Sequence, residues 1–242
     1  MSTLAFLVDT ELLNSTLEQT ACDLLQQAGI VAPPVDALAI AERLHIEVAF
    51  DGGQNSRGRQ KKLAGRPSIF LKPDDRPERV QWATAHELGE VVAHRIFESL
   101  VVDVDDVEPA QREEVANLFA SRLLLPGSWF FEDARSLDGD ILQLKKLHPS
   151  ASHELIALRL LDLQQPSIVT VFDQGRITRR RGNLANKPPR LQPLEQECWQ
   201  RVHCGNRGQL LRCESFAVTG WAIHEPGWKR EILRTVPASD FD

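Results

Sequence analysis

Residues 82–94 read Trp-Ala-Thr-Ala-His-Glu-Leu-Gly-Glu-Val-Val-Ala-His, and this one segment constrains the chain more than any other. On a helix, residues four apart are offset by about 40° and about 6 Å, so the side chains of His86 and Glu90 converge on one point. Glu87 lies about 100° round from His86, beside that point, where a carboxylate can take a proton from a water held there. Ala85, Leu88, Val91 and Val92 point away from His86 toward a core, while Ala83, Ala93 and Phe97 accompany the charged groups. Such a helix needs protein on most of its sides. The remaining side fits a metal site of HExxH spacing in which glutamate replaces the second histidine.

A metal needs a third ligand, and residues 112–126 offer one. Glu113, Ala116, Asn117, Ala120 and Leu124 share a helical face. The two alanines let this helix press against the first and bring Glu113 within reach of the ion. Val115, Leu118 and Phe119 then fill the opposite, core-facing side. Glu114 for Glu113, and His94 for Glu90, are the alternative ligands. One imidazole and two carboxylates neutralise a divalent cation, so its bound water is less acidified than at a site of two histidines and one glutamate. Zinc is the expected ion, with manganese the harder alternative.

Composition narrows the choice further. The 242 residues, 42% of them apolar, suffice for one large domain or a medium one with an appendage. With 34 acidic against 28 basic side chains, a chain built mainly to grip a phosphate backbone is disfavoured. There is no tyrosine, and the single methionine is Met1. An oxyanion partner must therefore be a histidine, an arginine or a backbone N–H, with His153 and Arg159 as candidates. The missing internal methionine also excludes the metzincins, which need a Met-turn. No apolar run reaches the roughly 18–20 residues of a membrane span. Residues 1–8 lack the positive start of a signal peptide, and four cysteines without CxxC spacing suit a reduced, cytoplasmic protein.

Periodicity predicts helices over 11–29 and 35–44, strands over 46–50 and 68–72, and a polar loop or hairpin over 57–65. Helices follow near 79–99, 110–125 and 152–163, with a shorter one near 138–147. Residues 168–172 and 177–179 flank Asp173-Gln174-Gly175, a hairpin signal, and residues 182–193 read as a linker or long loop.

Three matches taken together resemble the ImmA/IrrE metallopeptidases, which cleave phage-immunity and radiation-response repressors. They are Ala85-His86-Glu87-Leu88-Gly89-Glu90, the pattern from Glu113 through Asn117 to Pro126, and Arg159-Leu160, spread over roughly residues 15–165. The resemblance implies an α+β fold, with a zincin-like helical core and a small sheet over residues 1–165. A small, mainly-β C-terminal domain follows over 166–242. It further implies His86 and Glu113 as metal ligands, Glu87 as general base and Asn117 as a partner of the site. Glu90 departs from the family histidine. The implied reaction is amide hydrolysis of a helix-turn-helix repressor in phage induction, DNA damage or anti-phage defence. The alternative is a non-catalytic sensor on a degenerate peptidase scaffold.

Cys198, Cys204 and Cys213 lie beyond the peptidase region, with His203 and His224 nearby. They read first as small core or surface thiols. A second zinc site is one alternative, and a thiolate from one of these or from Cys22 closing the fourth metal position and keeping the enzyme latent is another. Arg176, Arg179, Arg180, Arg181, Lys187 and Arg190 form a basic stretch, either a solvated loop or a contact for single-stranded DNA as activator.

Overall fold

A computed structural model describes residues 9–63, 65–103 and 106–238. The opening segment read above as no signal peptide, residues 1–8, lies outside them. By its packing the chain divides into two units. One comprises the described residues up to Asp133 together with Lys145–Ser152, and the other Ala134–Leu144 together with the chain from His153 onward.

In the first unit α1 (Thr10–Gln27) is capped by Asp9 and followed by α2 (Ala37–Arg43), capped by Asp36. Strands β1 (Glu47–Phe50), β2 (Gly58–Leu63) and β3 (Arg66–Leu71) form a sheet in the order β1-β3-β2, parallel between β1 and β3 and antiparallel between β2 and β3. The basic segment expected as loop or hairpin is thus the outer arm of a hairpin. Two long helices follow, α3 (Pro77–Ser99) and α4 (Pro109–Leu124), each begun by a proline in its first turn, where no amide hydrogen is missed. Gln81 on α3 ties down the start of α2, accepting from the Ala37 N–H at 2.7 Å and donating to Asp36 at 2.8 Å.

The crossing of α3 and α4 positions everything that matters in this unit. Ala85 and Leu88 are fully buried and Val92 nearly so, as the periodicity requires, while Val91 is only half-buried. The close approach depends on Gly89. A Cβ there would stand 3.2 Å from the Ala116 backbone and 3.1 Å from the Phe119 ring. Ala116 faces α3 as expected, but so does Phe119, which the helical-face reading assigned to the opposite side. The reason is steric: without a side chain at residue 89, α3 accepts the Phe119 ring in the gap. The far flank of α4 is anchored by buried Arg122, which donates to Asn14 of α1 at 2.6 Å.

Helices α5 (Gly127–Ser136) and α6 (Ile141–Leu147) each span the division between the units. In the second unit, α7 (His153–Arg159) and a 3-10 turn (Leu160–Asp162) precede β4 (Ile168–Asp173), β5 (Arg176–Gly182), α8 (Pro193–Gly205), β6 (Gln209–Arg212), β7 (Phe216–Glu225) and β8 (Trp228–Pro237). The strands form an antiparallel sheet in the order β5-β4-β8-β7-β6. The β4–β5 connection is a two-residue loop with positive φ at Gln174 (50°) and Gly175 (75°), the geometry a tight hairpin demands. Helix α8 lies on one face of the sheet, where Cys198 and Val202 pack with Val218, Leu233 and Phe172. Helix α7 packs on β4 and β8, so its place is with this sheet, although the sequence groups it with the peptidase region.

Candidate metal centre

Helix α3 presents His86 and Glu90 one turn apart, and α4 presents Glu113 from across the helix crossing. One ligand atom from each of the three lies within 4.8 Å of the others. His86 Nε2 stands 3.6 Å from Glu113 Oε2. Ligands held tetrahedrally at zinc's usual bond lengths sit about 3.4 Å apart, so modest side-chain adjustment closes this trio around one ion. His86 and Glu90 are half-buried and Glu113 is exposed, which leaves one side of the site open to solvent. Asn117, one turn beyond Glu113, donates Nδ2 to Glu113 Oε1 at 3.1 Å and to its carbonyl at 2.8 Å. That bond orients the carboxylate, and partners of this kind tune a metal ligand.

Glu87 is outside the trio and buried at 5% exposure. Burial pushes its carboxyl up to about 7, and the negative charges of Glu90 and Glu113 push the same way. A third carboxylate beside two others is electrostatically unfavourable, and a divalent cation on the trio would offset that excess. The donor chemistry therefore fits a metal. Gly58, the first residue of the outer strand β2, closes over the Glu87 side chain. A Cβ at residue 58 would fall 2.5 Å from Glu87 Oε1. Nothing in the sequence marked Gly58, because only the pairing of β2 with β3 brings it onto α3.

The alternative ligands are placed elsewhere. His94 is exposed and its Nδ1 meets the Val91 carbonyl at 3.1 Å; neither it nor Glu114 joins the trio. Arg159 belongs to the second unit, where it is buried and paired with Asp162. No cysteine joins a metal-competent group among the described residues. Burial pushes the Cys198 thiol up to about 11, and burial with nearby acids raises that of Cys22, so neither favours the thiolate form. In the basic stretch, Arg180 is committed to buried Glu195 and Arg179 to Glu154, leaving Arg176, Arg181, Lys187 and Arg190 exposed. No helix among the described residues is long and apolar enough to cross a membrane.

No curated protein matches the chain. A solved structure described as a Mycobacterium tuberculosis transcriptional regulator shares the fold with a TM-score of 0.66 at 19% identity, over 91% of this chain and 75% of that one. The family comparison matches the IrrE N-terminal-like domain of the M78 peptidases to residues 41–160, which span β1 to β3, both crossing helices and the whole His86–Glu90–Glu113 trio. With motif, helix crossing and family match coinciding, this chain carries an IrrE N-terminal-like peptidase domain over residues 41–160, followed by an additional C-terminal region.

Proposed function

We propose that the chain is a metal-dependent endopeptidase that cuts a helix-turn-helix transcriptional repressor in a DNA-damage, phage-induction or anti-phage response. The supporting observation is buried Glu87, its proton affinity raised toward neutrality, beside a trio able to hold one divalent ion. Zinc, or manganese in its place, would polarise the scissile carbonyl and acidify a water. Glu87 would accept the proton of the attacking water and return it to the leaving amine, a role suited to a buried carboxyl beside the trio that is not itself one of the three converging side chains. Among the described residues strand β2 has β3 as its only strand neighbour, and it begins at the Glu87 contact, so an extended substrate segment can pair with its outer edge and be held in line.

The test is cleavage of a purified helix-turn-helix repressor, sought first among the reading frames that neighbour this chain's own. Metal-loaded protein is expected to cut it, and His86→Ala or Glu113→Ala is expected to lose both one equivalent of metal and the cleavage. Glu90 in place of histidine favours one other reading, a sensor without catalysis. Metal bound with no cleavage of any neighbouring repressor would support that reading instead.

Gly58 offers a graded check on positioning. Gly58→Ala is expected to displace the Glu87 carboxylate, lowering kcat by up to about 100-fold while metal content and KM change little. Steady-state kinetics beside metal analysis reads this. An unchanged kcat would mean that the β2 backbone does not set the Glu87 position.

A further inference from the structure

We propose that the C-terminal unit holds a divalent metal ion of its own, zinc by donor chemistry, on His203, His224 and Glu231. The three come from different elements: His203 from the last turn of α8, His224 from β7 and Glu231 from β8. Register pairs Ala222 with Glu231 and His224 with Lys229, so His224 and Glu231 are diagonal neighbours on one face of the sheet. That is the face α8 covers. His203 Nδ1 lies 2.9 Å and His224 Nε2 2.6 Å from the same oxygen, Glu231 Oε1. The two rings are 6.1 Å apart at 72°, and the three ligand atoms are mutually within 4.8 Å. Opening the N–O separations to the roughly 3.4 Å of a tetrahedral zinc shell takes less than about 1 Å of movement.

Charge is the second argument. This unit has other acids withdrawn from water, and each is matched by a guanidinium. Arg180 grips Glu195 through both oxygens at 3.0 and 2.9 Å, and Arg230 grips Asp173 at 2.6 and 3.0 Å. Glu231 is fully buried, yet among the described residues its ion pairs are with the two imidazoles alone. A hydrogen-bonded ring is not the fixed positive charge that a guanidinium is, and a buried carboxylate without such a countercharge is costly. A divalent cation at the meeting point supplies the missing charge, with each ring proton then on its other nitrogen.

The surroundings are those of a tuned ligand. Trp199, one turn before His203 on α8, donates Nε1–H to Glu231 Oε2 at 3.1 Å, which leaves Oε1 turned toward the histidines. Its indole is stacked on Phe172 at 5.0 Å and 14°, so the donor is fixed in place. The His203 side chain is 29% exposed and that of His224 9%, so the ion enters from the His203 side and its open position faces solvent. Two imidazoles disfavour calcium and magnesium, and the absence of a thiolate disfavours copper(I). With one carboxylate instead of two, this site is expected to keep zinc longer under chelation than the α3–α4 trio.

The test uses the full chain with the first trio disabled by His86→Ala and Glu113→Ala, so that its outcome is independent of the peptidase reading. After exposure to zinc and dialysis, elemental analysis is expected to find about one equivalent per chain, and cobalt(II) in its place should give visible d–d bands. Adding His203→Ala or His224→Ala should remove the equivalent and the bands, and Trp199→Phe should weaken binding about 10- to 100-fold. If His224→Ala does not fold by circular dichroism, the more exposed His203→Ala carries the result. No metal in the trio-disabled chain would overturn the proposal, as would metal unaffected by His203→Ala.

Discussion

On the proposed function, Glu87→Gln is expected to bind metal as the wild type does and to lose cleavage by about two to four orders of magnitude; independently of that function, it is expected to stabilise the metal-free chain at alkaline pH. The first two outcomes follow because Glu87 is not one of the three converging side chains but is the carboxylate beside them. The third follows from its titration. Burial first, then Glu90 and Glu113, raise its carboxyl from an ordinary 4.5 to about 7 in the folded chain. Between those values the folded state binds more protons than the unfolded one, so stability falls as pH rises from about 4.5 through about 7 and then levels off. A shift of that size corresponds to an order of 3 kcal/mol. Glutamine cannot ionise, so the difference between wild type and variant in denaturant unfolding should be small at pH 4.5 and approach that figure at pH 8, with chelator present. Adding metal should shrink the difference, because a dication offsets the charges of Glu90 and Glu113. A difference independent of pH would mean that Glu87 is not held against its own ionisation.

The convergence of the candidate residues was largely legible from spacing because helices repeat every 3.6 residues. The i, i+4 relation of His86 and Glu90, and the shared face of Glu113, Ala116 and Asn117, survive unchanged in three dimensions. What spacing does not carry is which face meets which neighbour. By helical face Phe119 falls on the side away from Glu113 and the two alanines, whereas the missing side chain at Gly89 lets α3 accept its ring. Helix α5 was not anticipated because Pro126-Gly127 reads as a stop. Here Leu125 breaks the α4 geometry (φ −132°, ψ 70°) and a new helix starts at Gly127. Pro193 similarly read as part of a linker, yet it begins α8 behind a Gln192–Glu195 capping box. His203 and His224 drew notice in the sequence only as neighbours of cysteines. Their convergence on Glu231 depends on the β7–β8 register and on where α8 lands, neither of which a local pattern encodes.

Arg180→Met is expected to cost the C-terminal unit about 3–5 kcal/mol, far more than an ordinary surface arginine. The residue sits in a run of basic side chains on β5, a strand at the edge of its sheet, and in sequence it looks like one more solvated charge. Its guanidinium is instead turned inward. Two parallel bonds join it to Glu195, a third group reaches the Pro189 carbonyl at 3.0 Å, and it also meets Thr170 Oγ1. Glu195 is fully buried and also accepts from Thr235 Oγ1 at 2.6 Å and from the Gln192 N–H at 2.8 Å, where it caps α8. Those neutral donors orient the carboxylate without cancelling its charge, so removing the arginine leaves an uncompensated buried anion at the root of α8. Glu195→Gln keeps both acceptor oxygen and cap while removing that charge. The double variant is therefore expected to recover more than half of the loss, a coupling that a merely solvated arginine would not show. Guanidinium unfolding in the presence of chelator, followed by fluorescence in a chain whose Trp82 and Trp129 are replaced by phenylalanine so that Trp199, Trp221 and Trp228 report, measures all the variants on one scale. A loss below about 1 kcal/mol for Arg180→Met, or no recovery in the double variant, would return Arg180 to the exposed basic stretch and make it available to a nucleic-acid partner.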